Sequence, residues 1–590
     1  RTDPENGMEE LIRNKIAEWT QPPYDEDTIR EISELSSRGE EKELTERFYR
    51  NLEFGTGGLR GIIGAGTNRM NIYTVGAATQ GLANYISSRG LSSRGVVIAF
   101  DSRIKSDVFS RKTAEVMAAH GIKVYIFDDV TPVPLCSFAV RELNATAGVV
   151  ITASHNPPEY NGYKVYWDDG AQVVSPQDTE IISEVNKIDS IDKIKSMPYN
   201  DGIARGIITV IGDDIRNSYI KNLEQYALRE KKTSPVKIVY SPLHGTGYRI
   251  VPKVLSHFGF TDISMVKAQE QPDGTFPTVK SPNPEERAAM TMSLELAREV
   301  QADIVLATDP DSDRMGVAFK DDAGEYILIN GNQIGTMLEY YILKRKSGEG
   351  TLPDNGAVVK TIVTTELQAD IARSFNCRIE DVLTGFKWIA LKMKEYDESG
   401  SAQFVFGGEE SYGYLPVPFV RDKDAVSSCY FFAEMTDWLK SSGQSLNDFL
   451  NEIYSKYGMY LEDLHSLTLK GKEGMEQIGG IMAGFRKNPP VEFSGTKVEK
   501  IADIQSLMIK DLTRGTEESI PGLPKSNVLQ YFLADGTKIT MRPSGTEPKI
   551  KFYFSVRETV AEESTDTVKA ALQKKIASLK EDLLAKVGAV

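Results

Sequence analysis

Apolar positions follow two regimes along the chain. Through about Glu53 they recur at helical spacing among mixed charges, which predicts amphipathic helices with caps such as Ser36. Beyond that point one pattern repeats: a near-continuous apolar run rich in β-branched residues, a polar loop, then a segment with 3.6-residue spacing. The runs GVVIAFDSR (95–103), AGVVITASHN (147–156), VKIVYSPLHG (236–245), ADIVLATDPDSDR (302–314) and AQFVFGGEESYG (402–413) each pass from a buried-looking strand into a polar or charged loop. Such strands alternating with helices predict α/β domains with mixed, mostly parallel sheets covered on both faces, and ligands beyond the carboxyl ends of the strands. The tail differs in kind. LADGTKITMRPSGTEPKIKFYFSV (533–556) reads as two strands flanking a loop, with a long charged helix expected from about Glu558, so a smaller α+β domain closes the chain.

The length of 590 residues exceeds one core, and a prior of about 150 residues per domain suggests roughly four units. Polar connections are expected at 186–206, 346–356 and 486–497. An apolar share of 40% and a charged share of 26% describe an ordinary globular protein. With no long uncharged apolar span and no charged-apolar leader, a cytoplasmic protein without a membrane partner is expected. Cys136, Cys377 and Cys429 lie far apart with no C-x-x-C spacing, so neither a zinc site nor a disulfide framework is expected. A net charge of −15 argues against a nucleic-acid or anionic-membrane partner, because such partners need a cationic surface.

Candidate chemistry sits in the loops. Asp309, Asp311 and Asp313 alternate at two-residue spacing after an apolar strand, so an extended backbone turns three carboxylates to one side, where they call for a hard divalent cation. An EF-hand is excluded by Arg314 and Lys320, which stand where that loop needs glycine and glutamate; a solvated acidic turn is the plain alternative. RPSGTEP combines a bidentate donor in Arg542, hydroxyls in Ser544 and Thr546, and a permissive turn at Gly545, the parts of a phosphate clamp or else simply of a β-turn. Nucleotide-binding loops of the G-x-x-x-x-G-K-[ST] type are absent, and Arg60 in GTGGLRG breaks G-x-G-x-x-G. Ser154 lacks the flanking glycines of a hydrolase elbow, and His155, its neighbour on an extended backbone, is expected to face the other way. A serine that carries a phosphoryl group, its charge offset by a cation on the aspartates, needs no base when it gives phosphate away. Glu409, Glu410 and Ser411 offer hydroxyl-binding groups, with the inward-facing glutamate undecided. His120, His257 and His465 are expected to pack or to lie at the surface, while His244 lies in another polar loop.

TASHNP, DPDSDR, GEES and RPSGTEP, in that order and preceded by FGTGGLRG, resemble the α-D-phosphohexomutase family, over nearly the whole chain. The resemblance implies three related α/β domains (1–212, 213–327 and 328–460) and a C-terminal α+β domain (461–590) around one deep cleft. It implies phosphoserine at Ser154 and Mg²⁺ held by Asp309, Asp311, Asp313 and the seryl group. Sugar contacts fall to Glu409 and Ser411, with Thr384 and Gly385 of LTGFK at the sugar end. Arg542, Ser544, Gly545 and Thr546 are implied to hold the non-reacting phosphate, with Arg60, Lys164 and Lys423 near the transferring group. Each lysine reads equally well as proton relay or electrostatic clamp. Tyr412 and Gly413 follow Ser411 where the bacterial phosphomannomutase type has a histidine, so that role is not carried over. The implied reaction moves phosphate between the 1-hydroxyl and the terminal hydroxyl of a sugar through a sugar 1,6-bisphosphate, which also serves as activator. Glucose phosphate is favoured, ahead of pentose or mannose phosphate, and the chain is expected to be a monomer or weak homodimer. A metal-dependent sugar phosphatase or binding protein is the competing class.

Overall fold

The computed structural model describes residues 4–55, 57–545, 547–560 and 564–589. Two compact units result: Arg1–Ile329 with Gly413–Asp437, and Asn330–Tyr412 with Trp438–Val590. Among the described residues no helix is long and apolar enough to cross a membrane.

The first unit opens with three helices, Pro4–Trp19, Glu26–Ser37 and Glu41–Phe48, that bury Ile12, Trp19, Ile32, Leu44 and Phe48 together. Helix Glu26–Ser37 starts where Asp25 accepts the Thr28 N–H, an N-cap. A six-stranded sheet follows, ordered Gly58–Ile62, Tyr160–Trp167, Ala147–Ile151, Val96–Phe100, Val124–Phe127, Ile208–Ile211. Its first two pairings are antiparallel and the other three parallel. Val96, Ile98, Val149 and Ile151 are fully buried, the signature of strands covered on both faces. Close packing fixes Gly162: a Cβ there would lie 2.4 Å from the Thr152 carbonyl oxygen. A second sheet runs Tyr326–Leu328, Met315–Lys320, Ile304–Thr308, Ser234–Ser241, Phe260–Met265, antiparallel over the first two pairings and parallel over the rest. Strands Ala147–Ile151 and Ile304–Thr308 deliver Ser154 and Asp309 just beyond their carboxyl ends, where an open α/β sheet binds ligands.

In the second unit, Arg378–Val382, Gly356–Thr361 and Gln403–Gly408 pair in parallel, the last strand leading into the Glu409–Ser411 loop. The C-terminal sheet is antiparallel throughout, ordered Met459–Thr468, Lys549–Glu558, Lys538–Pro543, Leu529–Leu533, Thr496–Asp503, Met508–Asp511, Thr516–Ser519. The final helix is Thr565–Gly588 and buries Val568, Leu572, Ile576, Leu579 and Leu583. It begins later than the sequence suggests, because residues to Glu558 stay paired with the strand from Met459 and Ser564 supplies the N-cap. Ile362, Val363 and Leu383 form one apolar cluster with Ile504 and Val528, which joins the parallel sheet to the antiparallel one. Beside it Lys538 Nζ donates to the Ile362 carbonyl (2.7 Å) and to Glu366 (2.8 Å), which also pairs with Lys360 (3.0 Å). Burial works to raise the Glu366 pKa, but Lys360 and Lys538 outweigh it and hold the carboxyl well below its usual range.

Glu339, on helix Gly331–Glu349, is fully buried, and neither carboxyl oxygen has a hydrogen-bond partner among the described residues. Burial pushes its pKa well above the carboxylate range, against the pull of Lys360. The folded chain therefore binds one more proton than the unfolded chain above the unfolded pKa, and stability from this group falls as pH rises towards the folded pKa. Glu339→Met is expected to stabilise the fold by about 1–3 kcal/mol at pH 7.5 and less at pH 4.5. Denaturant unfolding at the two pH values checks this, and a less stable variant at pH 7.5 contradicts it.

Candidate active site

Ser154 adopts φ 54°, in the left-handed region that non-glycine residues seldom occupy. Its N–H donates to Thr152 Oγ1 (2.9 Å), whose hydroxyl donates in turn to Asp101 Oδ2 (2.6 Å). This turn aims a 5%-exposed serine at the aspartate loop, with Oγ donating to Asp309 Oδ2 at 3.2 Å. It also corrects the expectation for His155. The backbone is not extended there, so His155 Nδ1 comes within 3.2 Å of Ser154 Oγ instead of facing away. Burial, aided by Arg314, lowers the His155 pKa to about 3, so the imidazole is neutral at physiological pH and does not serve as a cation.

Asp309, Asp311 and Asp313 are buried and offer carboxylate oxygens that all lie within 4.8 Å of one another. Asp309 Oδ1 accepts the Asp313 and Arg314 N–H groups (both 3.1 Å), which wraps the loop around it. Ser312 takes φ 52°, and Gly247 beneath it has no room for a Cβ, which would lie 2.2 Å from Tyr240 Oη and 2.9 Å from Ser312 Oγ. Burial and the two neighbouring aspartates push the Asp309 pKa well up. Burial also opposes ionisation of Asp311, but Lys164 Nζ at 3.1 Å helps to bring its carboxyl down to about 2. Among the described residues, Asp311 Oδ1 and Asp313 Oδ1 are buried without any hydrogen-bond partner. Three buried carboxylates that each offer an oxygen within 4.8 Å of the others, two of them with an oxygen lacking any partner among the described residues, are the donor set that a hard divalent cation requires, so the residues present fit such an ion.

Cations surround this triplet. Lys164 lies 3.9 Å from Asp313 Oδ2, and Lys423 Nζ lies 3.5 Å from the same atom. Lys423 is set by Asp422, whose Oδ1 is 3.3 Å from its Nζ and whose Oδ2 accepts from Tyr166 Oη (2.6 Å) and Gln172 Nε2 (3.2 Å). Gly413 leaves space for the lysine stem: a Cβ there would meet Lys423 Cδ at 2.1 Å. Arg60 leaves the strand Gly58–Ile62 with an exposed side chain that feels Asp311, Asp313 and Arg314. Ser154, Lys164, Lys423 and the three aspartates thus gather in one place, with Arg60 within electrostatic reach of Asp311 and Asp313. Asp101, Arg103, Asp422 and Tyr166 join them unannounced, although Asp101 and Arg103 end one of the quoted strand-to-loop runs.

In the second unit the sugar-loop candidates resolve. Glu410 Oε2 accepts the hydroxyls of Thr361 (3.0 Å) and Thr364 (3.1 Å), so Glu410 ties the loop down. Glu409, 7% exposed, accepts the Gly385 N–H at 2.9 Å, linking GEES to the LTGFK turn, where Gly385 takes φ 116°. Arg542 Nη1 donates to Tyr553 Oη at 3.2 Å, and the tyrosine also feels Glu410 and Glu409. Arg542 thus contacts Tyr553, a residue that no motif marks, and Glu409 and Glu410 lie within electrostatic reach of the same tyrosine. The Ser544 N–H donates to the Lys549 carbonyl (2.8 Å), while Gly545 is exposed with open space around it. Thr546 lies outside the described residues. His244 is absorbed structurally: it is 2% exposed, with Nε2 2.8 Å from Thr278 Oγ1.

Residues 51–192, 217–324 and 330–457 match the family models described as phosphoglucomutase/phosphomannomutase α/β/α domains I, II and III. A phosphoglucomutase of Staphylococcus aureus (strain USA300) is 40% identical over 518 residues, 87% of this chain and 91% of that one. One from Staphylococcus haemolyticus is 38% identical over 509 residues, 86% and 91% respectively. The crystal structure of a putative phosphomannomutase from Thermus thermophilus superposes with a TM-score of 0.67 at 20% identity, covering 91% of this chain and 99% of that one. The open form of the Paramecium phosphoprotein parafusin does so with 0.67 at 16% identity, covering 91% and 96%. Those two likenesses speak to the fold, whereas the sequence matches reach further: the chain belongs to the phosphoglucomutase/phosphomannomutase family, the α-D-phosphohexomutases, enzymes that interconvert phosphosugars.

Proposed function

We propose that this enzyme interconverts glucose 1-phosphate and glucose 6-phosphate, with Ser154 as the phosphoryl carrier. The observation that carries the reading is the placement of Ser154 Oγ against Asp309, beside two orphaned buried carboxylate oxygens and two lysines. Asp309, Asp311 and Asp313, with an oxygen of the seryl phosphate, would hold Mg²⁺, which when bound supplies positive charge against the transferring phosphoryl group. Lys164, Lys423 and the exposed Arg60 supply the remaining cations, which is the electrostatic part of phosphoryl transfer.

In the forward direction phosphoserine gives its phosphoryl group to the 6-hydroxyl of glucose 1-phosphate. The O6–P bond forms, the Ser154 Oγ–P bond breaks, and the hydroxyl proton is passed on as Oγ becomes a hydroxyl. The 1,6-bisphosphate then presents its other phosphate, Oγ attacks that phosphorus, and glucose 6-phosphate leaves with O1 protonated. Glu409 and Ser411, with the Thr384–Gly385 turn, are assigned to the sugar hydroxyls. Arg542, Ser544, Gly545 and Thr546 are assigned to the phosphate that is not reacting. The reading extends to sugar 1,6-bisphosphate as activator, to domains at 1–212, 213–327, 328–460 and 461–590, and to a cytoplasmic monomer or weak homodimer. The phosphoglucomutase names of relatives 38% and 40% identical support glucose over mannose or pentose.

The enzyme is expected to convert glucose 1-phosphate to glucose 6-phosphate in a coupled assay with Mg²⁺ and trace 1,6-bisphosphate, and Ser154→Ala to lose at least about 10⁴-fold in kcat. Release of inorganic phosphate alone points to a phosphatase, and full isomerising activity in the variant overturns the assignment. Chelation of divalent ions is expected to abolish turnover reversibly, with Mg²⁺ restoring it, and Asp311→Asn to weaken the Mg²⁺ requirement curve by about 10-fold or more. Undiminished activity after exhaustive chelation contradicts the metal assignment.

A further inference from the structure

The serine loop hangs from one buried arginine. Arg103, with its side chain fully buried, sends four N–H bonds into the loop carbonyls: Nη2 to Ser154 O and Asn156 O (both 2.6 Å), Nη1 to Pro157 O (2.9 Å) and Tyr160 O (3.1 Å). Its Nε lies 3.3 Å from Asp101 Oδ2, the atom that also accepts the Thr152 hydroxyl. Asp101 Oδ1 accepts the Arg103 N–H (2.9 Å) and the Ser106 hydroxyl (2.7 Å). The Asp101–Arg103 pair therefore grips both sides of position 154, its N–H through Thr152 and its carbonyl directly.

The guanidinium is itself backed from the second sheet's domain. The Phe276 ring lies under it at 5.2 Å, Ser281 Oγ donates to the His155 carbonyl at 3.1 Å, and Gly274 sits so close that a Cβ would be 2.5 Å from the Ile104 nitrogen. Loop carbonyls outside a β-ladder need partners when buried, and the planar five-donor fork of arginine reaches several at once where a lysine ammonium cannot. The φ of 54° at Ser154 is a conformation that persists only when its surroundings impose it.

We propose that Arg103 is the positioning residue of the reaction, holding Ser154 Oγ at one place while the charge it carries changes between phosphoserine and free hydroxyl. This rests on Ser154 being the phosphoryl carrier. Without Arg103 the carbonyls of 154, 156, 157 and 160 lose their common donor, the left-handed turn relaxes, and Oγ drifts from its 3.2 Å contact with Asp309. Displacement of a reacting atom by about 1 Å is enough to cost about 100-fold in rate. Substrate contacts are untouched, so the loss falls on kcat.

The test is Arg103→Lys in the full-length enzyme, with kcat and KM for glucose 1-phosphate and the single-turnover rate of phosphorylation by glucose 1,6-bisphosphate. The expected result is a fall of about 100-fold in kcat and a matching fall in the phosphorylation rate, with KM within about threefold. A folded variant whose kcat stays within twofold of the parent overturns the proposal, as does a loss confined to KM. Should Arg103→Lys not fold, Asp101→Asn decides: it removes the carboxylate charge that holds the Arg103 guanidinium at 3.3 Å while keeping the side chain's shape, and an unchanged kcat there overturns the proposal. A fall of about fivefold or more in kcat with KM constant supports it. Ser154→Ala run alongside separates the two layers: if it stays active the carrier assignment fails, and if it is inactive while Arg103→Lys is normal only the positioning role fails.

Discussion

Three carboxylates buried within 4.8 Å of one another cannot all ionise without opposite charge close by, and the first unit is built around that constraint. Lys164 answers Asp311, Lys423 stands by Asp313, and Asp309, left with burial and two like charges, is driven towards its protonated form. Asp311 Oδ1 and Asp313 Oδ1 still lack a partner among the described residues, and a divalent ion held by the triplet would complete the balance. The proposed phosphoserine at position 154 would add negative charge to the same spot, so ion and phosphoryl group would each make the other's presence tolerable. Chemistry and charge balance are here one problem.

The second unit carries the groups proposed to hold the sugar and its non-reacting phosphate. Glu410 anchors its own loop through Thr361 and Thr364, which leaves Glu409 to bind the Gly385 turn. Tyr553 ties Arg542 to the same region, and the Lys360–Glu366–Lys538 cluster with the Ile362, Val363 and Ile504 core joins the two sheets behind it. A buried charge cluster of this kind contributes little net stability against an apolar equivalent but disfavours other arrangements of the groups it joins.

Much of this was legible in the sequence because the decisive groups come in contiguous motifs at strand ends: Ser154 after AGVVI, the aspartates after ADIVLAT, and Glu409 after FVFGG. The parallel pairings of those strands followed from the same apolar runs, whereas their order and their antiparallel neighbours did not. What escaped was set by distant pairing. Asp422 is held beside Lys423 with help from Tyr166, 256 residues away, which donates to it, and Tyr553 meets Arg542 across a strand pair. The sidedness of His155 escaped for a local reason, since alternation along an extended strand ends where Ser154 enters the left-handed region. Asp101 and Arg103 stood in plain view within FDSR, yet only the fold shows four carbonyls around one guanidinium.

The central claim is that phosphate resides covalently on Ser154 during turnover. The most direct measurement is to load the enzyme with glucose 1,6-bisphosphate, digest it and locate the phosphate by mass spectrometry. One phosphate per chain, on the peptide containing Ser154 and discharged on addition of glucose 1-phosphate, is the predicted result. Phosphate on another residue, or an enzyme that turns over while Ser154 stays unmodified, contradicts the account.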